Sequence, residues 1–119
     1  MTSKEKIKKI QAVIDHPGRE STYYSLLKDL GDLKGNYADY MTTKPINCSE
    51  ELQRVANADY ELCTALLTAI LREDHFSNGS FEHRQRTGQV DEILQFEKFQ
   101  LVCHCLKLCG LAGVEAVQP

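Results

Sequence analysis

The 119-residue chain has no tryptophan, only three prolines and two methionines, and no surplus of positive charge. Without tryptophan, the large anchors of any core fall to four phenylalanines and five tyrosines. Scarce proline leaves long stretches open to helix, because each proline removes a backbone donor and clashes with the preceding turn. No window holds the roughly 18 continuous apolar residues that a membrane span needs. The longest apolar run, Ala65 to Leu71, is interrupted by Thr68, so no membrane association is expected. No apolar segment follows the charged start Met1-Thr2-Ser3-Lys4-Glu5, which predicts no secretory signal. Five cysteines, an odd number in such a context, read as reduced thiols and predict a cytoplasmic location. Asn47-Cys48-Ser49 and Asn78-Gly79-Ser80 fit the glycosylation pattern but carry no meaning there. A net charge of -3 makes dedicated nucleic-acid binding an unfavoured reading, since it normally needs a basic surplus or stripe.

Catalytic signatures are missing as well. The chain contains no HExxH, GxSxG, P-loop or CxxC pattern, and no Glu stands three residues before a His as a di-iron bundle requires. No cofactor is expected.

What is present is an ordinary globular composition, 42% apolar and 26% charged, at the length of one domain spanning residues 1–119. Thr2-Ser3-Lys4-Glu5 has the form of a capping box, and Ile7, Ile10, Val13 and Ile14 then share one helical face. Lys4, Lys6, Lys8 and Lys9 surround the other side as a solvated face, with phosphate contact as the sharper alternative. Pro17-Gly18 ends this helix near Asp15. Tyr23, Leu26, Leu27 and Leu30 mark a second helix within Arg19 to Leu30, with Gly31 placed for a left-handed cap. Asp32 to Ile46 shows no period and is either a packed irregular crossing or a functional loop. Tyr37 and Tyr40 are its expected ring anchors, with ligand stacking as the alternative.

Asn47, with Glu50 three residues on, suits a helix start. Helical spacing from Leu52 runs to about Glu73, with Asn57-Ala58-Asp59 as a possible break. From Tyr60 onward the pattern is apolar almost all round, which places this segment in the middle of the fold. After the connector 72–80, Ser77 is expected to cap a short helix through Phe81, Glu82, His83 and Arg84, which Gly88 ends. A long last helix follows from Val90 through Cys109. Its far half, residues 99–109, also alternates enough to fit a strand. The fold class predicted is all-α, a compact bundle of four to six helices with Ala58 to Glu73 buried centrally and a long C-terminal helix against it.

Two constellations bear chemistry-capable side chains. Around the connector lie Asp74, His75, Glu82 and His83, with Arg72, Arg84 and Arg86 as candidate binding residues. If the flanking helices fold back, the histidines and carboxylates can converge on a divalent metal or act as an acid–base pair. The simpler reading has Arg72 and Asp74 bracing a helix–loop–helix, Phe76 plugging the core and the histidines solvated. Cys103-His104-Cys105 with Cys109 is the second. Structural zinc needs paired hooks from two segments, which are absent, so these cysteines read as small core hydrophobes and no metal is expected.

Leu66-Leu67-Thr68-Ala69, Leu71-Arg72-Glu73-Asp74-His75-Phe76, Gly79, Gly88 and Ile93-Leu94 resemble the signature of an uncharacterised bacterial helical domain family. Its pattern reads LLTALxRADRF, then a glycine, a short helix ending in glycine, and a helix beginning around an IL pair. The resemblance covers Asp59 to Gln95, with His75 in place of arginine and Glu73 in place of alanine. It implies a fold and a bacterial origin, and no activity.

The leading functional expectation is a non-enzymatic interaction module without an identified partner protein. Leu101, Val102, Leu106, Leu108 and Cys109 surround the last helix with more apolar surface than one face buries, which suggests a homodimer seam. The second expectation is a metal-dependent hydrolase or nuclease using Asp74, His75, Glu82 and His83. A third, nucleic-acid binding through Lys4 to Lys9 and Arg84 to Arg86, is disfavoured by the acidic net charge.

Overall fold

A computed structural model describes residues 2–108, and the side chains through residue 106. Within them the chain forms six α-helices, α1 (Ser3–Asp15), α2 (Glu20–Leu30), α3 (Cys48–Glu51), α4 (Tyr60–Glu73), α5 (Ser80–Arg86) and α6 (Gln89–Leu108). Two short 3-10 helices, Tyr37–Tyr40 and Leu52–Asn57, complete the elements. There is no strand among the described residues, so the all-α expectation holds and the far half of α6 is helical. Position 109 lies outside the described residues.

Local signals account for most boundaries. Glu5 donates its backbone N–H to Thr2 Oγ1 at 3.2 Å, and its carboxylate accepts from the Thr2 backbone, closing the capping box. At the end of α2, Gly31 takes φ 74°, and the Asp32 N–H returns to the Leu27 carbonyl at 2.9 Å. Only a left-handed residue lets the chain turn back on its last carbonyls in this way. Asn47 caps α3 through the Glu50 N–H at 3.2 Å, and Asp59 caps α4 through the Leu62 N–H at 2.8 Å. Asp59 also explains why the long apolar pattern splits, since a residue accepting from N3 has left the helix before it.

Helix α4 occupies the centre. Every residue from Cys63 to Leu71 is buried. Its two threonines turn their hydroxyls back on the helix, Thr64 to the Glu61 carbonyl and Thr68 to the Thr64 carbonyl, both at 2.8 Å. This satisfies each hydroxyl without a polar partner from outside. α6 runs along both α1 and α4, and α2, α3 and α5 close the remaining sides of α4. No described helix is long and apolar enough to cross a membrane.

The segment between α2 and α3 is a packed crossing fixed from beneath by Glu51. Glu51 is 1% exposed and accepts from the Thr42 and Thr43 backbone N–H groups at 2.9 and 2.7 Å and from Arg54 Nη1 at 2.8 Å. Burial pushes this carboxyl up, yet the bonds from Thr43, Arg54 and Thr42 outweigh it and hold Glu51 at about 2. Tyr37 packs against the core as expected, whereas Tyr40 contributes its carbonyl, which accepts from Arg54 at 2.8 Å.

Because its range is depressed, Glu51 stabilises the fold above the ordinary carboxyl value of 4.5 and loses that contribution as pH falls toward about 2. Glu51→Ala is expected to cost about 3 kcal/mol at neutral pH, since it strands Arg54 and two backbone donors. Urea unfolding followed by circular dichroism at neutral and acid pH checks this, with the gap between variant and wild type narrowing in acid.

Candidate functional site

The connector between α4 and α5 is built around Asp74 and Glu73. Asp74 Oδ1 accepts the Gly79 and Phe81 backbone N–H groups, each at 3.1 Å. One carboxylate thus closes the turn and satisfies the start of α5. The expected Ser77 cap is replaced by this longer-range one. Ser77 instead accepts the Ser80 N–H through its carbonyl, and Gly79 at φ 89° is the residue before the helix. A left-handed position here explains the glycine.

Phe76 does not plug the core. It is 91% exposed, and Phe81, fully buried, takes that role against the Tyr23 ring at 5.1 Å in an edge-to-face arrangement. The turn 74–79 delays the chain's re-entry by five residues, so the first phenylalanine after α4 stays outside.

Arg84, expected as a binding residue, is 7% exposed and engaged. Its Nε and Nη2 bond the two Glu73 oxygens at 2.7 and 2.9 Å, a bidentate pair, and Nη1 reaches Gln89 at 2.9 Å. Nη2 also faces Ser49 Oγ at 3.3 Å, so α3, α4, α5 and α6 meet on one guanidinium. Bonding to Arg84 lowers the Glu73 carboxyl below its ordinary range. Cys48, beside this cluster, is pushed up to about 12 by burial, so its thiol stays protonated.

The other sequence candidates lie at the surface. His75 Nε2 meets the Tyr24 hydroxyl at 3.2 Å, His83 is exposed, and Glu82 pairs with Arg86 at 3.5 Å on the exposed side of α5. Arg72 is exposed at the end of α4. Among the described residues no three His, Cys, Asp or Glu side chains group so as to hold a metal ion.

A second cluster escapes the pattern reading. Glu97 on α6 is 0% exposed, and neither carboxylate oxygen has a hydrogen-bond partner. Beside it, Asp32 accepts from Lys6 Nζ at 3.3 Å and from the Tyr60 hydroxyl, while Lys6 stands over the Tyr60 ring at 5.2 Å. Lys6 and Tyr60 also line a surface cleft of about 450 Å³ with Gln100 and His104. Burial first, and the Asp32 carboxylate second, push Glu97 up to about 8 against the pull of Lys6. The signal was present in the helical stripe Val90, Ile93, Leu94 and Leu101, on which position 97 falls as the one acidic member.

The opposite fault, apolar side chains left outside, occurs farther along the same helix. Phe99 is 55% and Val102 37% exposed.

Residues 21–98 match the family of unknown function DUF6508, two thirds of the chain, and the chain belongs to that family. The match contains the connector, Asp32, Tyr60 and Glu97, and leaves out α1 with Lys6. No curated protein and no solved structure matches the chain.

Exchanging the two connector phenylalanines separates plug from surface residue. Phe81→Ala is expected to cost about 3–5 kcal/mol and Phe76→Ala within about 0.5 kcal/mol in equilibrium urea unfolding. Arg84→Ala, which leaves Glu73 part-buried without its cation, is expected to cost about 3 kcal/mol in the same measurement.

Proposed function

We propose that the protein is a non-enzymatic interaction module of the bacterial cytoplasm that associates with a second copy of itself through the C-terminal half of α6. The observation that carries this reading is the exposed apolar stripe of Phe99 and Val102. Leu106, half-buried, continues it at helical spacing. Leu101, expected in the seam, turns the other way and belongs to the core. Residues 108 and 109 of the expected seam lie outside the described side chains.

A second copy suits this stripe better than a charged partner. From Phe99 to Leu106 the face holds no charged side chain, and the exposed Gln95 and Glu92 bound it toward the start of the helix. Laid antiparallel about the point between Val102 and Cys103, Phe99 of one helix meets Leu106 of the other, so the patch is its own complement, as a two-fold interface requires. A stable dimer buries about 800 Å² per partner, more than one short helix face offers. The association is therefore weak and set by concentration.

Sedimentation equilibrium from micromolar to millimolar protein tests this. The expected result is a monomer–dimer equilibrium in the wild type, shifted to monomer by Phe99→Glu or Val102→Glu with unfolding free energy unchanged within about 0.5 kcal/mol. A wild type that stays monomeric throughout overturns the reading.

A further inference from the structure

We propose that Glu97 makes the docking of α6 against α1 and α4 proton-controlled: the helix is held most firmly while this carboxyl keeps its proton, and loosens as the proton passes to solvent. The geometry leads there. Glu97 sits on the buried stripe of α6 with no surface exposure and no hydrogen-bond partner for either oxygen. A neutral carboxyl in that position costs a modest desolvation penalty, whereas an unpaired carboxylate costs far more.

The groups facing Glu97 come from each element packed around it. α1 supplies Lys6, the turn after α2 supplies Asp32, and α4 supplies Tyr60 and Cys63. The only cation among these is Lys6, and its ammonium is bonded to Asp32 at 3.3 Å. The Tyr60 hydroxyl donates to the same carboxylate. Asp32 thus engages both donors that an ionised Glu97 would need, and adds a like charge of its own. Tyr60 and Cys63 are themselves pushed up, by burial above all, and stay neutral at physiological pH. Among the described residues, the one cation facing Glu97 is thus already held by Asp32.

The direction of the pH effect follows. A carboxyl raised from 4.5 to about 8 binds its proton more tightly in the folded chain than in the unfolded one. Its stabilising contribution is complete below the ordinary value, declines across the interval between the two values, and is gone above the upper one. Within that window each pH unit multiplies the unfolding constant by up to tenfold. Glu51 titrates below this window, because its range is depressed to about 2. Its loss in acid does not overlap.

Glu97→Gln keeps the shape and removes the titration. Urea unfolding of wild type and variant across the window is expected to show a steep pH dependence in the wild type that the variant lacks. Identical slopes overturn the proposal. Asp32→Asn, which removes the like charge and frees Lys6, is expected to move the window to lower pH. A window that stays in place removes Asp32 from the account and overturns that part. Amide hydrogen exchange locates the effect: α6 amides around residue 97 are expected to lose protection on alkalinisation before those of α2. Uniform loss overturns the control of α6 docking in particular. Should Glu97→Gln fail to fold, carbon-13 titration of glutamate carboxyls in the wild type decides instead. A Glu97 midpoint at the ordinary carboxyl value overturns the proposal.

Discussion

A helix buried on every side imposes its terms on the whole chain. α4 has no face for water from Cys63 to Leu71, so four other helices and both 3-10 helices must enclose it. The hydrophobic effect supplies the drive, at about 25 cal/mol per Å² of apolar surface removed from water. It supplies no register. A cylinder of Leu, Ile, Ala and Cys can be approached from many angles, and something directional must fix which neighbour sits where. In this protein that task falls to a few buried or half-buried polar groups at the ends of α4 and around its shell. The Arg84 fork joins α5 and α6 to the C-terminal end of α4 through Glu73 and Gln89. Gln85 donates to the Gly18 carbonyl at 2.8 Å and to the Tyr23 hydroxyl at 3.2 Å, tying α5 to the start of α2. Glu51 holds the crossing over α3. Each of these has its partners satisfied, which lets a buried polar group specify geometry without a large net penalty.

The same distinction, between bulk burial and directional ties, decides how much of the fold was legible in the sequence. Burial is periodic and local, and so the helices were legible. The α1 capping box, Gly31, the Asn47 cap and the break before Tyr60 all depend on residues within five positions of one another. Long-range ties leave no such trace. Arg84 meets Glu73 across eleven residues and Ser49 across thirty-five. In the sequence that arginine looks like any cation on a short charged helix. The mistaken plug has the same origin. Phe76 and Phe81 differ in their fate because Asp74 reaches forward to two backbone groups and sets the size of the turn, and spacing alone does not state that size. The irregular stretch 32–46 was unreadable because its order comes from residues outside it: Lys6 and Tyr60 hold Asp32, and Arg54 and Glu51 hold Tyr40, Thr42 and Thr43.

The candidate site was less legible than the fold. The histidines and arginines of the connector crowd together in the sequence, yet crowding across a bend is a poor guide to convergence in space. The chemistry of Asp74 and Glu73 in the folded chain is architectural. Glu97 is hidden in the sequence because a period is defined by its apolar members, and one exception among Val90, Ile93, Leu94 and Leu101 leaves the period intact. An acidic residue on an otherwise apolar stripe is, however, the kind of local conflict that sequences resolve unless something retains it. Isosteric Gln or a plain Leu would keep the shape of α6.

Two departures from a quiet bundle fall on one helix. α6 carries a carboxyl inside, where an apolar side chain would serve, and apolar side chains outside, where polar ones would serve. The two lie within five residues of each other and on different sides of the helix. In the readings proposed above, ionisation of Glu97 would act on the inner contact, and association through Phe99 and Val102 would act on the outer one. The two are coupled only if the loosened helix presents its outer face differently. A helix that is rigid along its length transmits a shift at residue 97 to residue 102 with little loss, because they are separated by fewer than two turns, at about 3.6 residues each. Under the two proposals, a shift in the seat of α6 carries the exposed stripe with it, and self-association would take up the pH dependence of the inner contact only where that shift changes how the stripe is presented to a second copy. Such a coupling would be reciprocal: a second copy that bound the stripe in the firmly docked arrangement would raise the affinity of Glu97 for its proton by the same factor.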